Sequence, residues 1–495
     1  MNTVLGPVDV AVLVAFLGSA VAIGLVAGGR ARSLDAYLLG DRDLPWWVIL
    51  GSIVATETSA ATVLSVPGEG FGAAGMRFLQ LPLGYMLGRV AIVRFLLPLY
   101  FRGELNTAHE VLRERFGPLV QRAAAVLFLV TRNLGDGLRL FLAALVFQKL
   151  TGLPLGWCVG VMGVVTIIYT VLGGLRSVAW NDCLQLVIYL LGGVVAVFVI
   201  VGRIPGGWEA AAAFARSGDR LRVFDWSFDL ANPYTFWAGL VGGAVLSLGT
   251  HGTDHMMVQR YLSARGQRDA GRALLASGVV VFLQFALFLG IGVLLAAFHQ
   301  LAGEAPPSRA DEVFAAFIVH HFPTNTGLIG LLVAAILAAA MSTIASSLNA
   351  SASSLMHDVW LPLRAAAGRR EPLAAAAALA RTRGLTIVFG IVQIAVGIAA
   401  AAVDSTVVSR ALTIAGYAGG LLLGVFILGV ATSRVGQVAA LVGAACGLAA
   451  LLTVQFVLPD HGIRIAWPWY ASIGAGMTVM AGLAAAPLFP RERMA

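Results

Sequence analysis

Long apolar stretches separated by short polar loops run through the chain from end to end. A run of about 20 apolar residues is long enough to cross a lipid bilayer as a helix. The pattern predicts an all-α polytopic membrane protein with about thirteen transmembrane helices. The predicted spans are 8–28, 44–70, 75–101, 120–148, 155–175, 180–202, 235–260, 272–299, 324–356, 380–403, 407–431, 436–457 and 467–488.

The ninth predicted span is unusual because hydroxyl and amide side chains recur inside it. Polar groups are costly in lipid unless they face something polar. At helical spacing, Ser342, Ser346 and Ser353 lie near one face. Such a stripe favours a path for a hard cation or a small polar solute, although polar packing between membrane helices would produce it as well.

The second predicted span carries a carboxylate, Glu57, among several hydroxyl side chains. An ionised glutamate at this depth costs about 3 kcal/mol or more unless it is solvated or paired. We therefore expect the helix to be broken here. In one interpretation the freed carbonyls meet a cation or a substrate. In the other, Glu57 is structural and caps the break or pairs with an arginine such as Arg132 or Arg139.

The fourth predicted span carries three charges. Asp136 lies four residues after Arg132 and three before Arg139. Because residues at these spacings share one helix face, the three side chains can neutralise one another. We expect an ion network that is structural or that gates a solute path.

Glycines mark two further irregularities. In the seventh predicted span they accompany His251 and Asp254, which predicts an irregular helix lining a cavity; Asp254 would cap a helix or pair with Arg260. Between the fifth and sixth spans, Gly173 and Gly174 predict a turn. Asp182 would then lie near the N-terminus of the next helix, where a carboxylate complements the helix dipole.

Composition agrees with a membrane protein. Only 12% of the residues are charged and 59% are apolar, whereas soluble proteins have about 25% charged residues. The net charge of +8 comes from arginine, since Lys149 is the only lysine, and no basic aromatic patch indicates nucleic acid. Cys158, Cys183 and Cys446 are far apart and predict neither a metal site nor an obvious disulfide.

Arginine sets the predicted orientation. It is concentrated in the loops that follow the odd-numbered spans, and Arg260 is counted among these loop residues. The positive-inside rule places these loops and the C-terminus in the cytoplasm and the N-terminus outside, in a plasma (inner) membrane. The first apolar segment lacks the basic residues of a cleavable signal sequence, so we expect a retained helix.

Five segments together resemble the sodium:solute symporter family, which includes sodium/glucose, sodium/proline, sodium/iodide and sodium/sialic acid transporters. The resemblance covers about residues 8–431, and its segments are Ser52–Gly68, Tyr169–Gln185, Gly252–Leu262, Ala339–Asp358 and Ala418–Gly429. It implies a LeuT-type core of two inverted five-helix repeats. The implied division is 1–43 for the first helix and its loop, 44–202 for the first repeat, 203–234 for an outer loop, 235–431 for the second repeat, and 432–495 for two additional helices.

The resemblance also implies a sodium site where the broken second span meets the ninth. Its ligands would be the backbone carbonyls of Ala55, Thr58 and Ala339 and the hydroxyls of Ser342 and Thr343. An all-oxygen set suits a hard cation. Sodium is therefore the expected coupling ion.

Two further residue sets follow from the same resemblance. Some members bind a second sodium through residues that match Ser346 and Asp182, with Asp182 near the exit path. Ala345 stands where some members have a hydroxyl, so we expect one sodium per solute. Pro82 and Val281 stand where the sugar transporters carry Glu and Lys, which favours an amino acid, a monocarboxylate or another small organic solute. The solute would lie among Thr62, Gln80, Ser247, His251, Gln284 and Tyr417.

The expected function is sodium-coupled import of this solute by alternating access, with the lipid bilayer, sodium and the solute as partners. Three alternatives stay open: a proton-driven carrier that uses Glu57, a channel, and a symporter-like sensor, which the absence of a signalling domain after the last span disfavours. No nucleophile–base pair, metal cluster or phosphate loop indicates an enzyme. The pattern determines neither the solute nor the oligomeric state.

Overall fold

The computed structural model describes residues 5–28, 33–103, 105–369, 371, 373–402 and 405–489. The two ends of the chain, to which the predicted orientation refers, and residues 29–32 of the first predicted loop lie outside this range. Every named element within it is helical, which confirms the predicted all-α class. The α-helices are α1 Pro7–Gly28, α2 Leu34–Leu39, α3 Trp46–Glu57, α4 Ala60–Phe71, α5 Gln80–Ala91, α6 Leu97–Tyr100, α7 Glu110–Phe116, α8 Pro118–Thr151, α9 Leu155–Arg203, α10 Gly207–Ser217, α11 Gly243–Gly252, α12 His255–Leu262, α13 Gln267–Ala302, α14 Val313–His321, α15 Leu328–Ser354, α16 Leu361–Ala366, α17 Ala375–Ala399, α18 Ser405–Ala431, α19 Gln437–Leu452 and α20 Tyr470–Ala485.

The described residues contain seven helical segments that are long and apolar enough to cross a membrane, or eight if the bent pair α3 and α4 forms one span. Each predicted span overlaps at least one helix. Some overlapping helices are short or broken, and α8 is long but carries Arg132, Asp136 and Arg139. The multi-pass membrane architecture is therefore confirmed, whereas the number thirteen stays a prediction.

The fifth and sixth predicted spans form one helical run, α9, with a single break. Gly174 adopts a left-handed backbone conformation there, with φ of 57°. A Cβ atom at this position would lie 2.3 Å from the Tyr37 carbonyl oxygen, so glycine is required for both reasons. The predicted glycine turn is confirmed. However, the helix resumes at Leu175, so Asp182 lies two turns inside it, and its placement near a helix N-terminus was wrong.

Helix α15 lies at the centre of the protein. It packs against α9, α8, α1 and α17, and it is the most enclosed of the membrane-length helices described. Its serines and threonines are buried among neighbouring helices, as are its alanines. The polar stripe therefore faces protein, as the cost of exposing hydroxyl groups to lipid requires.

Candidate functional site

The predicted break in the second span is confirmed between α3 and α4. Thr58 is extended, with φ of −82° and ψ of 110°, and the helical axes on the two sides differ in direction by 64°. The Ser59 amide turns away from α3 and donates to Thr62 Oγ1 at 3.3 Å. As at any helix end, the last carbonyls of α3 have no backbone N–H donor within the helix, and those of Ala55 and Thr56 are among them.

Two hydroxyls of α15 meet these freed carbonyls. Ser342 Oγ donates to the Ala55 carbonyl at 2.8 Å, and it also lies 3.2 Å from the Ala339 carbonyl. Thr343 Oγ1 lies 3.3 Å from the Thr56 carbonyl and 3.4 Å from that of Ala339. The contact between the broken helix and α15 is thus made of hydroxyl and carbonyl oxygens at mutual hydrogen-bonding distance.

This oxygen cluster contains four of the five predicted sodium ligands: Ala55, Ala339, Ser342 and Thr343. Carbonyl and hydroxyl oxygens are ligands that a hard cation accepts. The fifth, Thr58, was predicted through its carbonyl. Its hydroxyl donates to the Val54 carbonyl of α3 at 2.7 Å, and it lies 3.2 Å from the Tyr189 hydroxyl of α9 and 3.0 Å from Gln284 Oε1 of α13.

A buried arginine lies immediately beside this cluster. Arg260 was assigned to a cytoplasmic loop, but its side chain is 1% exposed, and that assignment was wrong. The guanidinium turns inward from α12 because the chain continues as helix to Leu262 and packs inside the protein. Its Nε donates to Ser52 Oγ at 2.9 Å, and its Nη1 donates to the Met256 carbonyl at 2.5 Å.

Arg260 also engages both residues that were predicted for a second cation. Its Nη2 donates to Ser346 Oγ and lies 3.5 Å from an Asp182 carboxylate oxygen. Ser52 Oγ donates to the same Asp182 oxygen at 2.5 Å. A positive charge of the protein itself therefore lies between Ser346 and Asp182 in this structure.

Glu57 pairs with partners other than the predicted ones. Its carboxylate accepts a hydrogen bond from Arg89 of α5, and His251 Nε2 lies 3.3 Å from it. The Arg89 guanidinium is fully buried and lies 3.2 Å from the same histidine nitrogen. Sequence reasoning missed Arg89, although an arginine within an otherwise apolar predicted span was the signal that could have identified it.

The predicted ion network of α8 is confirmed and extends to the break between α11 and α12. Asp136 lies 2.5 Å from Arg139 Nη1 and 3.8 Å from Arg132 Nη1. Arg132 also donates to Asp254, whose other carboxylate oxygen caps α12 by accepting from the Met256 amide at 2.8 Å. Asp254 thus combines the predicted capping role with an ion pair to Arg132 instead of Arg260.

A cavity of about 200 Å³ joins these groups. Thr343 of the oxygen cluster, Glu57 and His251 line it together with Arg132 and Arg139. The Arg139 side chain is 39% exposed, whereas its partner Asp136 is fully buried. The cavity therefore places an accessible guanidinium beside the predicted sodium ligands.

The other predicted solute residues are distributed around this centre. Ser247 donates to the Tyr85 carbonyl at 3.2 Å, and Gln284 bonds to Thr58 behind the break. The remaining three lie apart. Thr62 caps α4, and Gln80 forms hydrogen bonds with the Tyr234 carbonyl and the Asp225 amide of the 203–234 loop. Tyr417 lines a separate cavity of about 350 Å³. His251 is the one member of the set that lines the cavity beside Arg139.

The chain is similar to known sodium-coupled transporters. Residues 37–447 match the model of the sodium:solute symporter family. The human sodium/iodide cotransporter is 29% identical over 87% of this chain and 66% of its own length. The bovine sodium-coupled monocarboxylate transporter 2 is 30% identical over 87% of this chain and 69% of its own.

The fold is shared with solved transporter structures. A sodium-coupled sialic acid symporter in a substrate-bound outward-open state superposes with a TM-score of 0.87 at 24% identity, covering 99% of this chain and 100% of that one. Mhp1, a nucleobase-cation-symport-1 family transporter, superposes with a TM-score of 0.58 at 13% identity, over 91% and 94% of the two chains. These likenesses confirm the LeuT-type fold. The chain therefore belongs to the sodium:solute symporter family, whose members are sodium-coupled transporters and not enzymes.

Proposed function

We propose that this protein imports a small organic anion, in the simplest case a monocarboxylate, together with sodium. The observation that carries the proposal is the Arg139 guanidinium, which is open to the cavity and lies beside Thr343. A planar guanidinium binds a carboxylate through paired, charge-assisted hydrogen bonds. Sodium at the oxygen cluster and the carboxylate at Arg139 would attract each other, which couples the two binding events.

The hydrogen-bonding groups of the cavity favour an anion over a cation. Glu57, its one carboxylate, is already engaged by Arg89 and His251. Among the residues that the structure describes, Arg139 donates only through Nη1, to Asp136, which leaves its other donors for a ligand. A solute with an ammonium group would find its acceptors occupied. This favours a simple monocarboxylate over an amino acid.

The names of the relatives support the same class of solute. Both the sodium/iodide cotransporter and the sodium-coupled monocarboxylate transporters carry monovalent anions by their names. This chain spans about two thirds of the length of these relatives. The cavity of about 200 Å³ suits a solute of a few carbon atoms.

The transport cycle we propose uses the break between α3 and α4 and the break between α11 and α12. Sodium bound between α3 and α15 would hold Thr343 against the break and complete the solute cavity. Segments 44–202 and 235–431 would act as two inverted repeats that open the cavity to either side in turn. The arginine-rich loops would lie in the cytoplasm and the N-terminus outside, in a plasma membrane, and Asp182 would lie on the inward exit path.

A thermal-shift experiment on the purified protein tests this function. Lactate and nicotinate, each compared with its uncharged amide, are the probes, with sodium chloride or choline chloride as the salt. We expect a carboxylate to raise the unfolding midpoint only in sodium, because each ligand stabilises the state that binds the other. Stabilisation by an amide, or by a carboxylate regardless of sodium, would contradict the proposal.

Arg139 gives the matched variants for that experiment. Arg139→Gln should weaken the apparent carboxylate affinity by about tenfold to a hundredfold, since hydrogen bonds to charged groups contribute about 1.5–3 kcal/mol. Arg139→Lys keeps the charge but loses the planar fork, and it should retain an intermediate affinity. Sodium alone should stabilise wild type and both variants equally, which shows that the oxygen cluster is intact. An unchanged carboxylate affinity in Arg139→Gln would locate the anion elsewhere.

One sodium and one monoanion per cycle move no net charge. In sealed liposomes, a tenfold sodium gradient should therefore drive about tenfold accumulation, equivalent to about 1.4 kcal/mol. Imposing a potassium diffusion potential of about 100 mV should leave the uptake unchanged. With a second sodium the same potential would add about 2.3 kcal/mol and raise accumulation strongly. A voltage-dependent uptake would thus disprove the single-sodium stoichiometry.

A further inference from the structure

A further open groove, of about 530 Å³, lies at the arginine-rich ends of the helices and shares no lining residue with the cavity beside Arg139. It is bounded by the ends of the helical segment Gly75–Tyr100 and of α18, and by the loop helix α7. Three arginines line it, Arg94, Arg102 and Arg115, against one acidic residue, Glu114. The described lining therefore carries two net positive charges.

Two of these arginines have donors to spare. Arg94 and Arg102 are exposed, and neither side chain has a hydrogen bond or ion pair with another described residue. The Arg94 guanidinium lies 5.4 Å from the centroid of the neighbouring Phe95 ring. Arg115 is held differently, because its Nε donates to the Gly429 carbonyl at 3.0 Å and so connects α7 to the end of α18.

The groove is also apolar along the side that continues into the membrane-length helices. Phe95 and Val430 are 62% and 48% exposed, and Pro98 and Leu99 line the groove with them. Arg94 precedes the end of the helical segment at Tyr100 by about 9 Å of helix rise. An arginine at this depth extends its guanidinium towards the headgroup region and lays its stem along apolar surface.

We propose that this groove binds an anionic phospholipid, with its phosphate held by Arg94 and Arg102 and its acyl chains against Phe95 and Val430. Basic pockets between helices on the arginine-rich side suit an acidic headgroup. A free phosphate ion would use the guanidinium groups but none of the apolar surface, whereas a lipid uses both. Since Arg115 ties α7 to α18 at the same place, the bound lipid stabilises this contact.

Purified protein in a neutral detergent tests this site with phosphatidylglycerol as the probe. Phosphatidylglycerol should raise the unfolding midpoint in a saturable manner, and phosphatidylcholine and glycerol 3-phosphate should not. In the double variant Arg94→Gln/Arg102→Gln the apparent affinity should fall by roughly tenfold or more. The control, Arg268→Gln/Arg272→Gln, removes the same charge from exposed positions outside the groove and should match wild type.

Native mass spectrometry of the same samples counts the lipids bound per protein. Wild type and the control variant should each retain a phosphatidylglycerol molecule that the Arg94/Arg102 variant loses. If both variants lost phosphatidylglycerol equally, binding would depend only on general surface charge. If glycerol 3-phosphate raised the unfolding midpoint as much as phosphatidylglycerol does, the groove would be a site for free anions. Either result, or no effect of phosphatidylglycerol at all, overturns the proposal.

Discussion

Replacing the two α15 hydroxyls, in the variant Ser342→Ala/Thr343→Val, should abolish the stabilisation of the protein by sodium. These hydroxyls contact the Ala55, Thr56 and Ala339 carbonyls. Without them a bound sodium loses two oxygen ligands that the remaining carbonyls alone do not replace. The sodium concentration needed for half-maximal uptake should rise by about a hundredfold or more, equivalent to about 2.7 kcal/mol.

The same helix offers a matched control. Ser353 is fully buried in α15, and its hydroxyl has no hydrogen-bond partner among the described residues. Ser353→Ala therefore removes the same atom from the same helix away from the break, and it should leave the sodium dependence unchanged. If the Ser342/Thr343 variant kept wild-type sodium dependence, the sodium ligands would have to be assigned elsewhere. An equal loss in Ser353→Ala would indicate damage to α15 instead of to a cation site.

Arg260→Gln should be the most destabilising single substitution considered for this protein. It removes the positive partner of Asp182, which is 0% exposed. Breaking a buried ion pair by removing one member costs about 3–5 kcal/mol, because the remaining charge stays desolvated and unpaired. The free energy of unfolding, measured by denaturant titration in detergent micelles, should fall by that amount. Sodium concentrations that saturate wild type should offset part of the loss if a cation can occupy the space between Ser346 and Asp182.

Two variants separate this effect from a general loss of surface charge. Arg265 lies five residues further along the chain and pairs with Asp43 at an exposed site, so Arg265→Gln should cost less than about 1 kcal/mol. Adding Asp182→Asn to Arg260→Gln removes the unpaired charge and should recover part of the lost stability. If Arg260→Gln and Arg265→Gln were equally mild, the buried pair would contribute little to the folded state.

The coupling that we propose has a simple physical basis. The break between α3 and α4 frees carbonyl groups, α15 supplies the hydroxyls opposite them, and Arg139 is open to the cavity that touches both. A bound sodium reduces the cost of placing a carboxylate in this partly enclosed space, and the carboxylate does the same for sodium. Because such coupling is reciprocal, the sodium affinity should rise with solute to the same degree as the solute affinity rises with sodium.

Much of the architecture followed from local pattern. Apolar runs, and the glycines and hydroxyl residues within them, predicted an all-helical membrane protein, the break at Glu57–Thr58, the irregular region at Asp254 and the turn at Gly173–Gly174. Each of these depends on a few consecutive residues, since helix formation, lipid exposure and glycine conformations are decided within one or two turns. The spacing of Arg132, Asp136 and Arg139 predicted their shared face for the same reason.

The partners of the buried charges were decided by tertiary structure alone. Glu57 pairs with Arg89 on another helix, and Arg260 reaches Asp182 and Ser346, each on a different helix. An arginine side chain is long and flexible, so Arg260 could equally face the cytoplasm as a topology signal or turn into the protein. Which of these occurs depends on how α12 packs against α3 and α15, and on the large cost of leaving Asp182 buried without a positive partner. Sequence determined that this protein would be a chain of membrane helices with polar breaks, whereas only the packing of those helices determined which charges meet inside it.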